Sequence, residues 1–143
     1  MKRKSIVGVF LFLSIAIGAT VASEAASGQE PEDGVVAFYF HGDVRCATCR
    51  KLEAYSNEAI EGGFAAEIES GQLIWQSVNV DKEENGHFVT DFQLVTRALV
   101  LVEFRGGTAA RWKNLDQIWH LVRDKERFVG YVQDSTREFL QEE

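Results

Sequence analysis

The sequence predicts an α/β fold with a central mixed sheet of about four strands, in the order β-α-β-α-β-β-α. Three observations carry this. Apolar runs of strand length, Val35–Phe40, Leu73–Val80 and Ala98–Phe104, alternate with stretches whose apolar residues recur at helical spacing. Arg105-Gly106-Gly107-Thr108 then supplies a hairpin turn, so a fourth strand follows the third directly. The two cysteines of the chain, Cys46 and Cys49, stand where the first strand gives way to a helix.

The first strand, Val35-Val36-Ala37-Phe38-Tyr39-Phe40, is continuously apolar and rich in β-branched and aromatic residues. That pattern suits a central strand covered on both faces. His41-Gly42-Asp43 breaks it. From Ala47 the period changes: Leu52, Tyr55, Ala59 and Ile60 share a helical face, with Lys51, Glu53 and Glu58 between them. Gly62-Gly63 interrupts, Phe64–Ile68 adds a further helical turn or two, and Gly71 closes it.

Leu73–Val80 follows through this helix, so it is expected to run parallel to the first strand with a right-handed crossover. Lys82–Gly86 is a loop, and His87–Phe92 a short helix with Phe88 and Phe92 one turn apart. The third strand is Ala98–Phe104 and the fourth Ala109–Lys113. Asn114, with Gln117 three residues on, resembles a helix N-cap, and Leu115, Ile118, Trp119 and Val122 mark one face. Asp124 starts the last helix, whose stripe is Phe128, Tyr131 or Val132, Ser135 and Phe139.

Composition sets the frame. At 143 residues the chain is one domain plus a short extension, and 45% hydrophobic residues suffice for a core. Residues 1–25 read as an export signal or signal anchor. Lys2-Arg3-Lys4 is followed by the 17-residue apolar run Ile6–Ala22, with Thr20-Val21-Ala22 or Ser23-Glu24-Ala25 as cleavage sites. Residues 26–34 are a polar linker, expected to be mobile, and residues 35–143 the folded domain. The expected location is therefore the periplasm or the outer face of the cytoplasmic membrane, where disulfides persist. The net charge is −7, and removal of residues 1–25 makes it more negative still. Such a surface argues against nucleic acid, and against membrane contact except through an N-terminal anchor.

Cys46 and Cys49 carry the chemistry. At i and i+3 on a first helical turn, two Cβ atoms approach closely enough for a disulfide. Cys46 is expected to be the outer residue, at the positive end of the helix dipole, flanked by Arg45 and Arg50. Both effects favour thiolate, which makes Cys46 the nucleophile and Cys49 the resolving thiol. Two other readings remain at this point: an inert structural disulfide, and half of a shared metal site completed by His41 or a second copy. His87 and His120 read as exposed helix residues, and Trp75, Trp112 and Trp119 as packing residues in regular elements. There is no Gly-rich phosphate loop and no Ser/His/Asp constellation, so no cofactor is expected.

Over residues 35–141 this pattern resembles the thioredoxin superfamily. The residues that carry the resemblance are the apolar strand, Cys46-Ala47-Thr48-Cys49 at a helix start, a strand ending in Asn79-Val80-Asp81, and Phe92-Gln93-Leu94-Val95 ahead of the third strand. More narrowly, Cys-Ala-Thr-Cys-Arg-Lys and Ala110-Arg111-Trp112-Lys113-Asn114 resemble a bacterial thioredoxin-like group, named nitrophenyl-compound nitroreductase subunit, of the ArsF type. The resemblance implies a thioredoxin-like three-layer α/β/α fold and thiol–disulfide exchange with a protein dithiol or disulfide partner, or with a partner reductase. A non-catalytic accessory or metal-holding module that docks to an envelope redox partner is the alternative.

Two departures from the family stand out. It usually carries a cis-proline before the third strand, facing the cysteines; here Arg97-Ala98 occupies that place. A cis bond without proline costs about 2.5–4 kcal/mol. The loop is therefore expected to be trans and the groove altered, with Arg97 close to Cys46 and able to lower its pKa. The family's buried acid on the first strand has no counterpart either, which leaves Asp43, His41 or water to take a proton from Cys49.

Overall fold

The computed structural model of the protein describes residues 30–142. The expected signal segment, and the linker up to residue 29, lie outside the described residues. Four strands, β1 (Gly34–His41), β2 (Leu73–Asn79), β3 (Ala98–Arg105) and β4 (Thr108–Asn114), form one sheet in the order β2-β1-β3-β4. Five α-helices accompany them, α1 (Ala47–Gly63), α2 (Ala65–Glu69), α3 (His87–Asp91), α4 (Ile118–Leu121) and α5 (Lys125–Gln141), with a 3-10 turn at Glu83–Asn85.

β1 is central. It pairs in parallel with β2, Val36 opposite Ile74 and Phe40 opposite Val78, and antiparallel with β3, Val36 opposite Val102 and Phe40 opposite Ala98. β3 and β4 form the hairpin. Parallel pairing is thus confined to β1 and β2, because β3 enters the sheet from the far end and reverses. Gly106 and Gly107 make the hairpin turn with φ of 57° and 71°, angles that a β-carbon disfavours.

Alternation along β1 divides the core in two. Val35, Ala37 and Tyr39 face Leu52, Ala59 and Ile60 of α1 and Phe128, Val132 and Phe139 of α5. Val36, Phe38 and Phe40 face the other way, onto Phe88 and Phe92 beside Val100, Val102 and Phe104. Helices therefore cover both faces, unequally: α1 and α5 are each 17 residues, whereas α3 has five. Aromatic bulk makes up the difference. Phe38 stacks on Phe40 at 5.3 Å between centroids and meets Phe88 at 5.4 Å. The order of elements, the parallel β1–β2 pair, the β3–β4 hairpin and the layering agree with the thioredoxin-like expectation.

One helix start differs from expectation. Asn114 is the last residue of β4, opposite Val100, and does not cap a helix. The ladder runs one step further, since Leu115 N–H donates to Leu99 carbonyl at 2.8 Å. That pairing holds the backbone extended past Asn114 and delays α4 to Ile118. Asp124 does cap α5, accepting from Arg127 N–H at 3.1 Å. The end of the expected linker is tied to the sheet: Glu32 carbonyl accepts from Gly107 N–H and Asp33 carboxylate from Gly106 N–H.

Glu103 is an acidic side chain placed in the sheet interior, 8% exposed on β3. It lies opposite Arg111 on β4 and is ion-paired with both Arg111 and Arg105. Arg111 also donates to Phe139 carbonyl at 2.6 Å, so the network ties the hairpin to the end of α5. The hydrogen bond from Arg111 is the main cause that holds the Glu103 carboxyl below its ordinary value of 4.5, against the opposing effect of burial. A carboxyl depressed on folding stabilises the native state above its unfolded pKa, and that contribution is lost as pH falls through the folded value. Denaturant titrations should therefore show stability declining from about pH 4.5 downward, and Glu103→Gln should flatten that limb. An unchanged acid limb in the variant would count against the network.

Candidate functional site

Cys46 and Cys49 are joined in a disulfide with Cα atoms 5.0 Å apart. Cys46 is the N-cap of α1, extended at φ −68° and ψ 164°, and its Sγ accepts from Cys49 N–H at 3.0 Å. Its carbonyl takes Arg50 N–H at 3.0 Å, the first intrahelical bond. The two sulfurs differ in access. Cys46 is exposed, whereas Cys49, within the first turn, is 5% exposed. An attacking group reaches Cys46 and not Cys49, and the free N–H groups at the helix start favour negative charge on Cys46 Sγ once the bond opens.

Beneath the pair lies Tyr39, fully buried at the end of the odd-numbered face of β1. Its hydroxyl donates to Cys49 carbonyl at 2.9 Å. Burial pushes the Tyr39 phenol up to about 12, with the guanidiniums of Arg45 and Arg97 pulling the other way, so it remains a donor at neutral pH. His41, next on the same face, is by contrast lowered in pKa, first by burial and then by Arg45 and Arg97, while its bond to Gly42 carbonyl and the Asp81 carboxylate oppose. The sequence offered no reason to single out Tyr39. A tyrosine in an apolar strand reads as core, and its hydroxyl bond appears only once α1 is laid across β1.

The other expected site residues gather here with defined partners. Arg45 is ion-paired with Glu53 on α1, and its Nη1 lies 3.3 Å from both ring nitrogens of His41. Arg97 donates to Val44 carbonyl at 3.2 Å, which joins the loop before β3 to the loop before Cys46. Ala98 is buried at the start of β3, opposite Phe40. Trp119 fastens this loop from behind, its indole N–H donating to Arg97 carbonyl at 2.9 Å. Among the described residues no peptide bond is cis. Asp43 is turned to the opposite side of its loop, accepting from Asn79 side-chain amide at 2.7 Å while its own N–H donates to Asp81.

A cavity of about 160 Å³ opens at the C-terminal end of β1, between His41, Asp81, Val89, Val95 and Arg97. Gly42 is part of its wall, and a β-carbon there would lie 2.5 Å from Asp81 Oδ2. Two apolar side chains of the neighbouring loops are exposed, Val44 at 74% and Val95 at 96%, and of these Val95 lines the cavity. Among the described residues no group of three or more His, Cys, Asp and Glu side chains is placed to hold a metal ion.

No protein-family model matches this chain, and no curated protein matches it. Solved structures do. Thioredoxin f2 of Chlamydomonas reinhardtii is 16% identical with a TM-score of 0.37, covering 64% of this chain and 79% of that one. Thioredoxin-2, described as a component of malaria parasite protein secretion machinery, is 16% identical with a TM-score of 0.36, covering 68% and 88%. A structure described as a malarial protein is 14% identical with a TM-score of 0.35, covering 64% and 97%. Likeness at this level says nothing about activity; the site has to be read from its own geometry.

The Tyr39 bond gives a direct check. Tyr39→Phe removes one buried hydroxyl while Cys49 carbonyl stays within the helix, so urea unfolding should show a loss of about 0.5–1.5 kcal/mol. A neutral substitution would mean that this hydroxyl does not hold α1 to β1.

Proposed function

We propose that the protein is a thiol–disulfide oxidoreductase of thioredoxin-like fold that works through Cys46 and Cys49. The observation that carries this reading is the asymmetry of the pair: an exposed sulfur at a helix N-cap bonded to a buried one in the same turn. A disulfide kept only for stability gains little from such placement, because a bond between residues three apart closes a very short loop and removes little chain entropy.

The exchange follows from access. In the oxidised state a partner thiolate attacks Cys46 Sγ, the Cys46–Cys49 bond breaks, and the electron pair leaves on Cys49, which takes up a proton. A second partner thiol then attacks its own sulfur in the mixed disulfide, Cys46 leaves as thiolate, and the partner departs oxidised. Two electrons have passed to this protein, with one proton on Cys49 and a second taken from solvent whenever the Cys46 thiolate is protonated. The reverse sequence reduces a partner disulfide: Cys46 attacks and Cys49 resolves. The reduction potential of the pair decides the direction.

Export and a dedicated partner complete the proposal. The apolar run Ile6–Ala22 after Lys2-Arg3-Lys4 supports delivery outside the cytoplasm. Val44, two residues before Cys46 and exposed, offers an extended apolar segment a seat beside the pair. A groove bounded by Arg97 without a proline suits one partner better than many. The narrower resemblance to the nitroreductase-subunit group would make that partner an enzyme supplied with electrons.

Two variants test the mechanism. Cys49→Ser should accumulate mixed disulfides on Cys46 in cells, separable on non-reducing gels and lost on reduction. Cys46→Ser should trap none. Resistance of the wild-type bond to excess dithiothreitol in the folded protein would defeat the exchange reading.

A further inference from the structure

The charged groups around Arg45 do more than the exchange steps call for. Arg45 directly precedes the exposed sulfur, and its guanidinium is bound by the Glu53 carboxylate of α1. The second Glu53 oxygen accepts from Ser77 hydroxyl on β2 at 2.6 Å. His41 touches the guanidinium from β1, and Arg50 donates to Arg45 carbonyl at 2.7 Å. The side chains of Arg45 and Glu53 are 30% and 23% exposed, so solvent only partly screens the pair.

We propose that Glu53 is a positioning residue for the redox pair: its carboxylate, held by Ser77, neutralises Arg45 and withholds that positive charge from Cys46. This deepens the exchange reading and rests on it. A free guanidinium beside a thiol favours the thiolate, whereas one paired with a carboxylate offers little net charge. The remaining charges around the pair are Arg97, reaching Val44 carbonyl from the loop before β3, Arg50 on α1, and Asp43 and Asp81 bonded to each other across the loop. None of these contacts Glu53 in the hydrogen bonds and ion pairs described, so replacing Glu53 leaves them in place. The consequence is a less acidic Cys46, and a pair more reducing, than a Cys-x-x-Cys between two arginines would suggest.

Glu53→Gln tests this, because the amide keeps the shape and can still accept from Ser77. In the reduced full-length protein, the pH profile of Cys46 alkylation by iodoacetamide should move to lower pH by about 0.5–1 unit, with a rate at pH 6 some 3–10-fold higher. Equilibrium with a glutathione series should shift toward the dithiol. In an Arg45→Gln background the same Glu53 change should move the profile less than half as far. An unmoved profile in Glu53→Gln, or an equal shift without Arg45, overturns the proposal. Should Glu53→Gln fail to fold, Ser77→Ala, which only loosens the carboxylate, must move the profile in the same direction, and no movement overturns it. These readings need no partner protein, so they can fail while the Cys49→Ser trap succeeds. A wild-type bond that no dithiol opens defeats the exchange reading and this one with it.

Discussion

Everything in this domain depends on β1 being paired on both edges and buried on both faces. Residues Val36 through Phe40 are at most 1% exposed, with β2 on one side and β3 on the other. β3 is held almost as fully, paired with β1 and β4 and buried from Ala98 to Phe104, but it is β1 that leads directly into the cysteine pair. Burying a side chain such as Phe or Val is worth about 1.5–3 kcal/mol, so six consecutive apolar residues give the strand a single register. A slip of one residue would exchange Tyr39 for Phe38 or Phe40 beneath α1. The Tyr39 hydroxyl would then lose Cys49 carbonyl, and the start of α1 its anchor. The precision of the cysteine pair is thus inherited from the strand behind it.

The parts legible in the sequence are those set by local periodicity. The β1 run, the change to helical spacing after Ala47, the hairpin at Gly106-Gly107 and the Asp124 cap each depend on residues within one element, and each is where the pattern put it. Asn114 misled because its capping chemistry is real but its backbone was already engaged, with Leu115 N–H committed to Leu99. Competition for a backbone group is settled by tertiary pairing, which a local pattern does not contain. The direction of β3 was hidden for the same reason.

The site was legible in its sulfurs and not in its surroundings. Spacing alone put Cys46 at the edge of α1 and Cys49 within it. Whether the neighbouring arginines act on the thiols depends on which partners they meet, and those are remote in sequence: Glu53 and Ser77 for Arg45, Val44 and Trp119 for Arg97. Trp119 is a packing residue by composition, yet its indole N–H holds the backbone of the loop that faces the disulfide. Only the fold brings α4 to that loop.

The loop before β3 shows how the groove keeps its shape without a proline. Proline would stiffen such a loop by fixing φ at its own residue and by lacking an N–H. Here stiffness comes from outside the loop: Trp119 donates to Arg97 carbonyl, Arg97 reaches Val44 carbonyl, and Ala98 begins a strand pair with Phe40. These contacts fix the backbone and hold the Arg97 guanidinium against the loop that leads to Cys46. A proline presents an incoming chain with apolar surface and little else. Arg97 presents donors and a positive charge, beside apolar Val44 and Val95. Arg97 thus joins the loop before β3 to the loop before Cys46 through its side chain, where a proline could act only on its own backbone.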